Sequence, residues 1–285
     1  MVTEMLRSSR PVSWINTAYP FAVAYVVTTG DIDAVLIIGT LFFLVPYNLA
    51  MYGINDVFDY ASDIANPRKG GAEGALLAPA LHRPVLMASA LTCVPFVVVL
   101  AAAGNWQSWI VLAVSLFAVV AYSAPPFRFK EVPGVDSLTS SVHFVSPAAY
   151  GLVLAEADLN LATFCVLGAF LLWGMASHAF GAVQDIGPDR EAGISSVATA
   201  LGSRRTVRLA LGLWAAAGLL ATAVGWPGAI AGLLAIPYLA AAAPYWNLTD
   251  DDAEKAHGGW RHFLWINYAA GAAVTILLIV IFGTR

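Results

Sequence analysis

Long apolar stretches, each closed by glycine, proline, asparagine or a charge, follow one another along nearly the whole chain. Nine are legible, at roughly 12–29, 33–55, 84–103, 106–124, 136–155, 160–183, 205–224, 228–247 and 262–283. A helix needs about 20 apolar residues, at roughly 1.5 Å each, to cross the hydrocarbon of a bilayer, so each stretch predicts one transmembrane helix. Breaks fall at Gly30-Asp31, Asn66 to Gly71, Gly104-Asn105, Lys130 to Gly134, Gly225 to Gly228 and Asp250-Asp251-Asp252. Prolines inside the stretches, Pro46, Pro95, Pro147 and Pro237, do not argue against helices, because neighbours in a membrane bundle satisfy the carbonyls that proline frees. The expected fold is all-α: a multi-pass membrane helix bundle of about nine transmembrane helices around a central cavity, forming a single domain over 1–285.

Composition agrees. Of 285 residues, 59% are hydrophobic and only 11% charged, against about 25% charged in soluble domains. That length is used up by nine crossings with short loops. The net charge of -4 averages over loops and says little about partners. A basic stripe with interleaved aromatics is lacking, which sets nucleic-acid binding aside. Cys93 and Cys165 lie inside apolar stretches without metal or redox spacing and read as small buried hydrophobes. The first stretch follows Arg7 and Arg10, and Ala22-Val23-Ala24 resembles a signal-peptide cleavage site. The many stretches that follow favour a retained first helix.

The cations fix an orientation. With nine crossings, 13 of the 14 Lys and Arg residues fall on one side, and only Arg285 falls on the other. The positive-inside rule then places the N-terminus in the cytoplasm and the C-terminus outside the cell membrane.

Charge is scarce, so its clustering is informative. Asn55-Asp56-Val57-Phe58-Asp59-Tyr60-Ala61-Ser62-Asp63 follows the second stretch, and Gln184-Asp185-Ile186-Gly187-Pro188-Asp189 follows the sixth. Both follow even-numbered crossings, hence both face the cytoplasm and can share one site. A carboxylate at the centre of a membrane helix costs about 2.5–3.5 kcal/mol on insertion scales, so five at the edge of the hydrocarbon call for a cation. If helix continues past the membrane edge, Asp56, Asp59 and Asp63 recur at i, i+3 and i+7 on one face. Asn48, Tyr52, Asn55 and Asp59 form a neighbouring polar stripe. These hard oxygen ligands suit Mg2+, which binds one or two carboxylates together with substrate phosphates. A merely solvated helix end is the competing reading, but acids there oppose the helix dipole.

The second pair is weaker evidence. Pro188 disfavours a helical residue before it, so a break or kink near Ile186 is expected, and a shared helical face for Asp185 and Asp189 is doubtful. Arg68, Lys69, Arg128, Lys130, Arg190, Arg204 and Arg205 lie on the same side; they suit a diphosphate, and equally suit topology anchoring. Tyr52, on the polar stripe, is placed either to offer its ring to a cation or simply to pack. His143 and His178 sit within stretches and are expected to face the bundle interior, as hydrogen-bonding groups or proton carriers.

The combination N-D-x-x-D-x-x-x-D after the second crossing and D-x-x-x-D after the sixth resembles the UbiA superfamily of intramembrane prenyltransferases. The resemblance implies that Asn55, Asp56, Asp59, Asp63, Asp185 and Asp189 bind an isoprenyl diphosphate through Mg2+. Tyr122-Ser123 to Arg128 and Lys130 resembles that family's loop after the fourth crossing. The longer strings Asn55 to Tyr60, Asn66 to Gly71, Glu73-Gly74 and Gln184 to Gly193 are most similar to the lycopene elongase branch. That likeness implies transfer of a five-carbon unit, from dimethylallyl diphosphate, to a terminal alkene of lycopene. Expected partners are therefore an isoprenyl diphosphate, lycopene and membrane lipid. Two other readings stay open: an aromatic-acceptor prenyltransferase of quinone or related lipid biosynthesis, and a transporter. The transporter fits poorly, since its ionisable residues should lie near the bilayer midplane.

Overall fold

The computed structural model describes residues 2–65 and 76–282, which are helical without a strand among them. Arg68 and Lys69 lie outside the described residues. In chain order the helices are α1 (Val2–Ser8), α2 (Ile15–Thr29), α3 (Ala34–Leu44), α4 (Pro46–Phe58), α5 (Tyr60–Ala65), α6 (His82–Ala103) and α7 (Trp106–Ser123). There follow α8 (Val135–Leu154), α9 (Leu161–Val183), α10 (Ile186–Glu191), α11 (Val197–Leu201), α12 (Ser203–Ala221), α13 (Ala235–Ala242) and α14 (His257–Phe282).

Seven helical segments among the described residues are long and apolar enough to cross a membrane: 34–58, 79–103, 106–123, 161–183, 203–224, 228–245 and 250–281. The protein is a multi-pass membrane protein. The two stretches that fall short of the expected nine do so for separate reasons. Helix α2 has only 15 residues. Helix α8 carries Asp136, Ser137, Thr139, Ser140, Ser141 and His143 in its first half.

Contacts gather the chain into two compact units, one of residues 1–129 with 142–157, the other of 130–141 with 158–285. The first unit is built on aromatic rings. Phe21, Phe42, Phe43, Tyr47 and Tyr150 are fully buried, with Phe21 5.2 Å and Tyr47 5.1 Å from Phe43 between ring centroids. A Cβ at Gly39 would run into the Phe21 ring, so glycine here lets α2 and α3 approach.

The stretch expected as one helix over 33–55 is broken at Val45, where ψ is −62° and φ −117° and Pro46 opens α4. Proline has no N–H to continue the ladder. Asn48 supplies donors instead: its Nδ2 reaches Phe43 O at 2.7 Å, Leu44 O at 3.1 Å and Thr17 Oγ1 at 2.8 Å. Other ends are capped as the break residues suggest. Asn105 forms a capping box with Ser108 at the start of α7, and Asp33 caps α3 by accepting from Leu36 N.

In the second unit α9 and α12 make the most extensive helix pairing among the described residues. Their core is Phe180, Val183, Ala210 and Trp214, extended by Tyr238 of α13 and Phe263 of α14. Gly174 admits the Ser141 side chain against the α9 backbone, where Ser141 Oγ donates to Leu171 O at 2.7 Å.

Candidate active site

Helix α4 ends at Phe58, and α5 begins two residues later, yet the helical bonding continues across the seam. Asp59 N donates to Asn55 O at 2.9 Å and Asp63 N to Asp59 O at 2.8 Å. Asp56, Asp59 and Asp63 therefore keep the expected spacing along one helical path, and all three are buried, at 1%, 6% and 6% exposure.

Each acid has specific neighbours. Asp59 Oδ2 accepts from Asn55 Nδ2 at 2.6 Å, and the same amide donates to Ser123 Oγ of α7 at 2.9 Å. Asp56 Oδ2 accepts from Ser8 Oγ at 2.8 Å, and its Oδ1 from Arg10 Nη2 at 3.0 Å. The Arg10 guanidinium also lies over Tyr52, 4.3 Å from the ring centroid. Tyr52 thus faces a cation, but that cation belongs to the protein. Arg128, with a left-handed backbone at φ 41°, directs Nη1 toward Phe58 O (3.5 Å) and Ser123 O (3.4 Å). A cation at the end of α4 complements the helix dipole that the acids oppose. Tyr122 sits edge-on to His143, with centroids 5.2 Å apart. Asn48 is fully buried, and its amide nitrogen is engaged at the Val45–Pro46 break described above.

The break expected near Ile186 is present, since α9 ends at Val183 and α10 begins at Ile186, but the two acids keep a helical spacing beyond it. Asp185 precedes α10, Pro188 is the third residue of that helix, and Asp189 N donates to Asp185 O at 2.9 Å. Proline in a first helical turn removes a donor that has no intrahelical partner anyway. Asp185 and Asp189 are accordingly one turn apart, and both are half-buried. Gln184 is buried against α14, with Oε1 2.7 Å from His257 Nδ1. Arg190 is drawn away from the acids: its Nη2 meets Asp250 Oδ2 at 2.8 Å and Thr199 O at 3.2 Å. Lys130 is half-buried in the 3-10 turn Phe129–Glu131.

Asp136 was not singled out by its sequence context. Its carboxylate is fully buried and accepts three backbone N–H groups, from Gly134 (2.8 Å), Ser137 (2.7 Å) and Val197 (2.7 Å). Beside it, Ser137 Oγ lies 3.1 Å from His178 Nδ1. His178 is half-buried and His143 buried, as their positions within apolar stretches suggest. Ser8 and Arg10 were likewise missed as partners of the acidic segment. Arg10 reads as a topology anchor because its acid is 46 residues away in sequence.

Carboxylate and amide oxygens are a hard donor set that fits Mg2+. Among the described residues no three His, Cys, Asp or Glu side chains gather closely enough to hold a metal unaided.

An all-helical membrane protein with two acidic segments at helix ends defines a class of intramembrane proteins that handle a charged group beside hydrocarbon. Residues 17–281 match the UbiA prenyltransferase family, and the chain belongs to it. It is a prenyltransferase. It is 52% identical to a lycopene elongase/hydratase of Corynebacterium glutamicum over 277 residues, covering 97% of this chain and 96% of that protein. A C(50) beta-cyclic carotenoids biosynthesis protein of Dietzia is 54% identical over 280 residues, covering 98% of this chain and 65% of its own length. Among solved structures, a UbiA homologue from Archaeoglobus fulgidus bound to DMAPP and Mg2+ shares the fold, with TM-score 0.66 and 21% identity over 94% of this chain and 99% of that one.

Proposed function

We propose that this prenyltransferase moves a dimethylallyl group from dimethylallyl diphosphate to a terminal alkene of lycopene, in fifty-carbon carotenoid biosynthesis. The observation that carries the reading is 52% identity, along 97% of the chain, to a protein named lycopene elongase/hydratase. The buried Asp56, Asp59 and Asp63 support it, since a water-poor site with several carboxylates suits a metal-bound diphosphate.

In this proposal Asn55, Asp56, Asp59 and Asp63 bind diphosphate through Mg2+, and Asp185 and Asp189 are Mg2+-binding residues of the second segment. When bound, Mg2+ neutralises charge that develops on the departing diphosphate. Arg68, Lys69, Arg128, Lys130 and Tyr122 bind diphosphate oxygens, and Gln184 supports the second segment from its contact with His257. Arg190, which meets Asp250 in this structure, is a further diphosphate-binding residue of the second segment. Asn48 maintains the bend that starts α4, and so sets where the acids at its far end lie.

The allylic C–O bond breaks, and its electron pair leaves with the diphosphate. Tyr52 offers its ring to the cationic side of the site. The terminal alkene of lycopene attacks the allylic carbon, leaving a tertiary cation that loses a proton or captures water. Apolar helix faces keep bulk water from the allylic cation until the acceptor reacts. The distribution of cations supports a cytoplasmic N-terminus and an external C-terminus.

Membranes containing the protein, supplied with dimethylallyl diphosphate and either lycopene or an aromatic acid, test the acceptor. Consumption of lycopene is expected. Prenylation of the aromatic acid with lycopene untouched would overturn the assignment.

A further inference from the structure

A cation placed only to set topology would extend into solvent at the membrane face. Arg10 does not. Its side chain is 20% exposed, and it is turned inward onto Asp56, the most deeply buried acid of the first segment. The turn that presents it is built for the purpose. Ser8 and Ser9 are buried, Ser9 Oγ donates to Leu6 O at 2.7 Å, and the Trp14 indole N–H donates to Ser9 O at 3.0 Å. Arg10 itself holds a left-handed backbone, φ 51° and ψ 73°, which a residue with a side chain rarely adopts.

The guanidinium is also only partly used. One Nη2–H donates to Asp56, and Tyr52 covers its face. The Nε–H is buried without a hydrogen-bond acceptor among the described residues. A buried cation with a donor to spare, held in a strained turn beside three carboxylates, has the form of an anion-binding group waiting for its anion. Asp56 already accepts from Ser8 on Oδ2 and from Arg10 Nη2 on Oδ1, and the buried Nε–H is not among its donors.

We propose that Arg10 is a diphosphate-binding residue. In the empty enzyme it neutralises Asp56; in the loaded enzyme its guanidinium donates to a diphosphate oxygen, which frees Asp56 Oδ1 for the metal. Tyr52 keeps the guanidinium plane in place through this exchange, and Ser8 holds the other oxygen of Asp56. The inference rests on the reading of the first acidic segment as a diphosphate site. It adds a residue that lies outside both acidic segments and precedes the first long helix.

The test is binding of inorganic pyrophosphate to the full-length, detergent-solubilised protein in the presence of Mg2+, read as ligand-induced thermal stabilisation across a concentration series. Arg10→Gln should weaken the apparent pyrophosphate affinity about ten- to hundredfold, the range of one charge-assisted hydrogen bond. Arg10→Lys should fall between the two, because it keeps the charge and loses the planar fork. If Arg10→Gln does not fold, Arg10→Lys carries the comparison, with a several-fold loss expected. If Arg10 only neutralises Asp56, the variants melt earlier without ligand but bind pyrophosphate as the unaltered protein does. That result overturns the assignment of Arg10 and leaves the acidic site standing. An unaltered protein that pyrophosphate and Mg2+ fail to stabilise overturns the site and Arg10 together.

Discussion

Replacing Asp136 by alanine should loosen the strap that follows the second acidic segment. Three backbone N–H groups, of Gly134, Ser137 and Val197, point at this one carboxylate at 2.7–2.8 Å. The strap is tied at both ends, because Ile194 N donates to Asp189 O at 2.8 Å and Val197 N to Asp136. Leaving a buried donor unsatisfied costs about 1–3 kcal/mol. Three donors, partly relieved by water and local movement, give a loss of about 3–5 kcal/mol for Asp136→Ala. Asparagine keeps one acceptor oxygen and should lose about half as much. At roughly 2 °C per kcal/mol, the alanine variant should melt at least about 6 °C below the unaltered protein in detergent. Because Val197 lies eight residues beyond Asp189, its release should also raise the KM for the allylic diphosphate. An Asp136→Ala protein that melts within a degree of the unaltered one would refute this account of how the strap is held.

Asp56→Ala or Asp59→Ala should reduce prenyl transfer by at least about a thousandfold while the protein still inserts and elutes as a folded species, since charge stabilisation of the leaving group is the main catalytic term; size-exclusion profiles beside turnover assays check both halves. Chelation of divalent ions by EDTA should abolish turnover, and added Mg2+ should restore it, as measured by product formation in the same membranes. Asp33 accepts from Leu36 N and then from the Tyr25 hydroxyl, which holds its carboxyl below the usual aspartate range. A carboxyl depressed in the folded state contributes stability at neutral pH and loses it as pH falls through that lowered value. Melting curves below pH 4 should therefore fall more steeply for the unaltered protein than for Asp33→Asn.

The helical plan was legible because each long helix is an apolar run with polar ends, and such runs need no long-range information. Two features escaped that pattern. The break at Val45–Pro46 is invisible because proline is tolerated in membrane helices, and only the Asn48 amide, folded back onto Phe43 and Leu44, shows that the ladder is cut there. Helix α8 has one polar half, since Asp136, Ser137 and Ser141 turn to partners inside the protein, and apolar length alone undercounts it.

The first acidic segment was legible from its spacing because helical bonding carries on across the seam at Asp59. Pro188 argued for a break in the second segment, and α9 does end at Val183, just before Asp185. The proline's place in the first turn of α10, where no intrahelical donor is lost, explains why Asp185 and Asp189 still stand one turn apart. Arg10 and Asp136 could not be read as partners of the two segments, since Asp56 lies 46 residues from Arg10 and Val197 lies 61 from Asp136.

The identity of the acceptor is the central claim, and the product's mass tests it most directly. Incubating the protein in membranes with lycopene and isotope-labelled dimethylallyl diphosphate should yield carotenoids heavier than lycopene by one or two labelled five-carbon units, with or without added water. Unchanged lycopene, with label appearing instead in an aromatic acceptor, would contradict it.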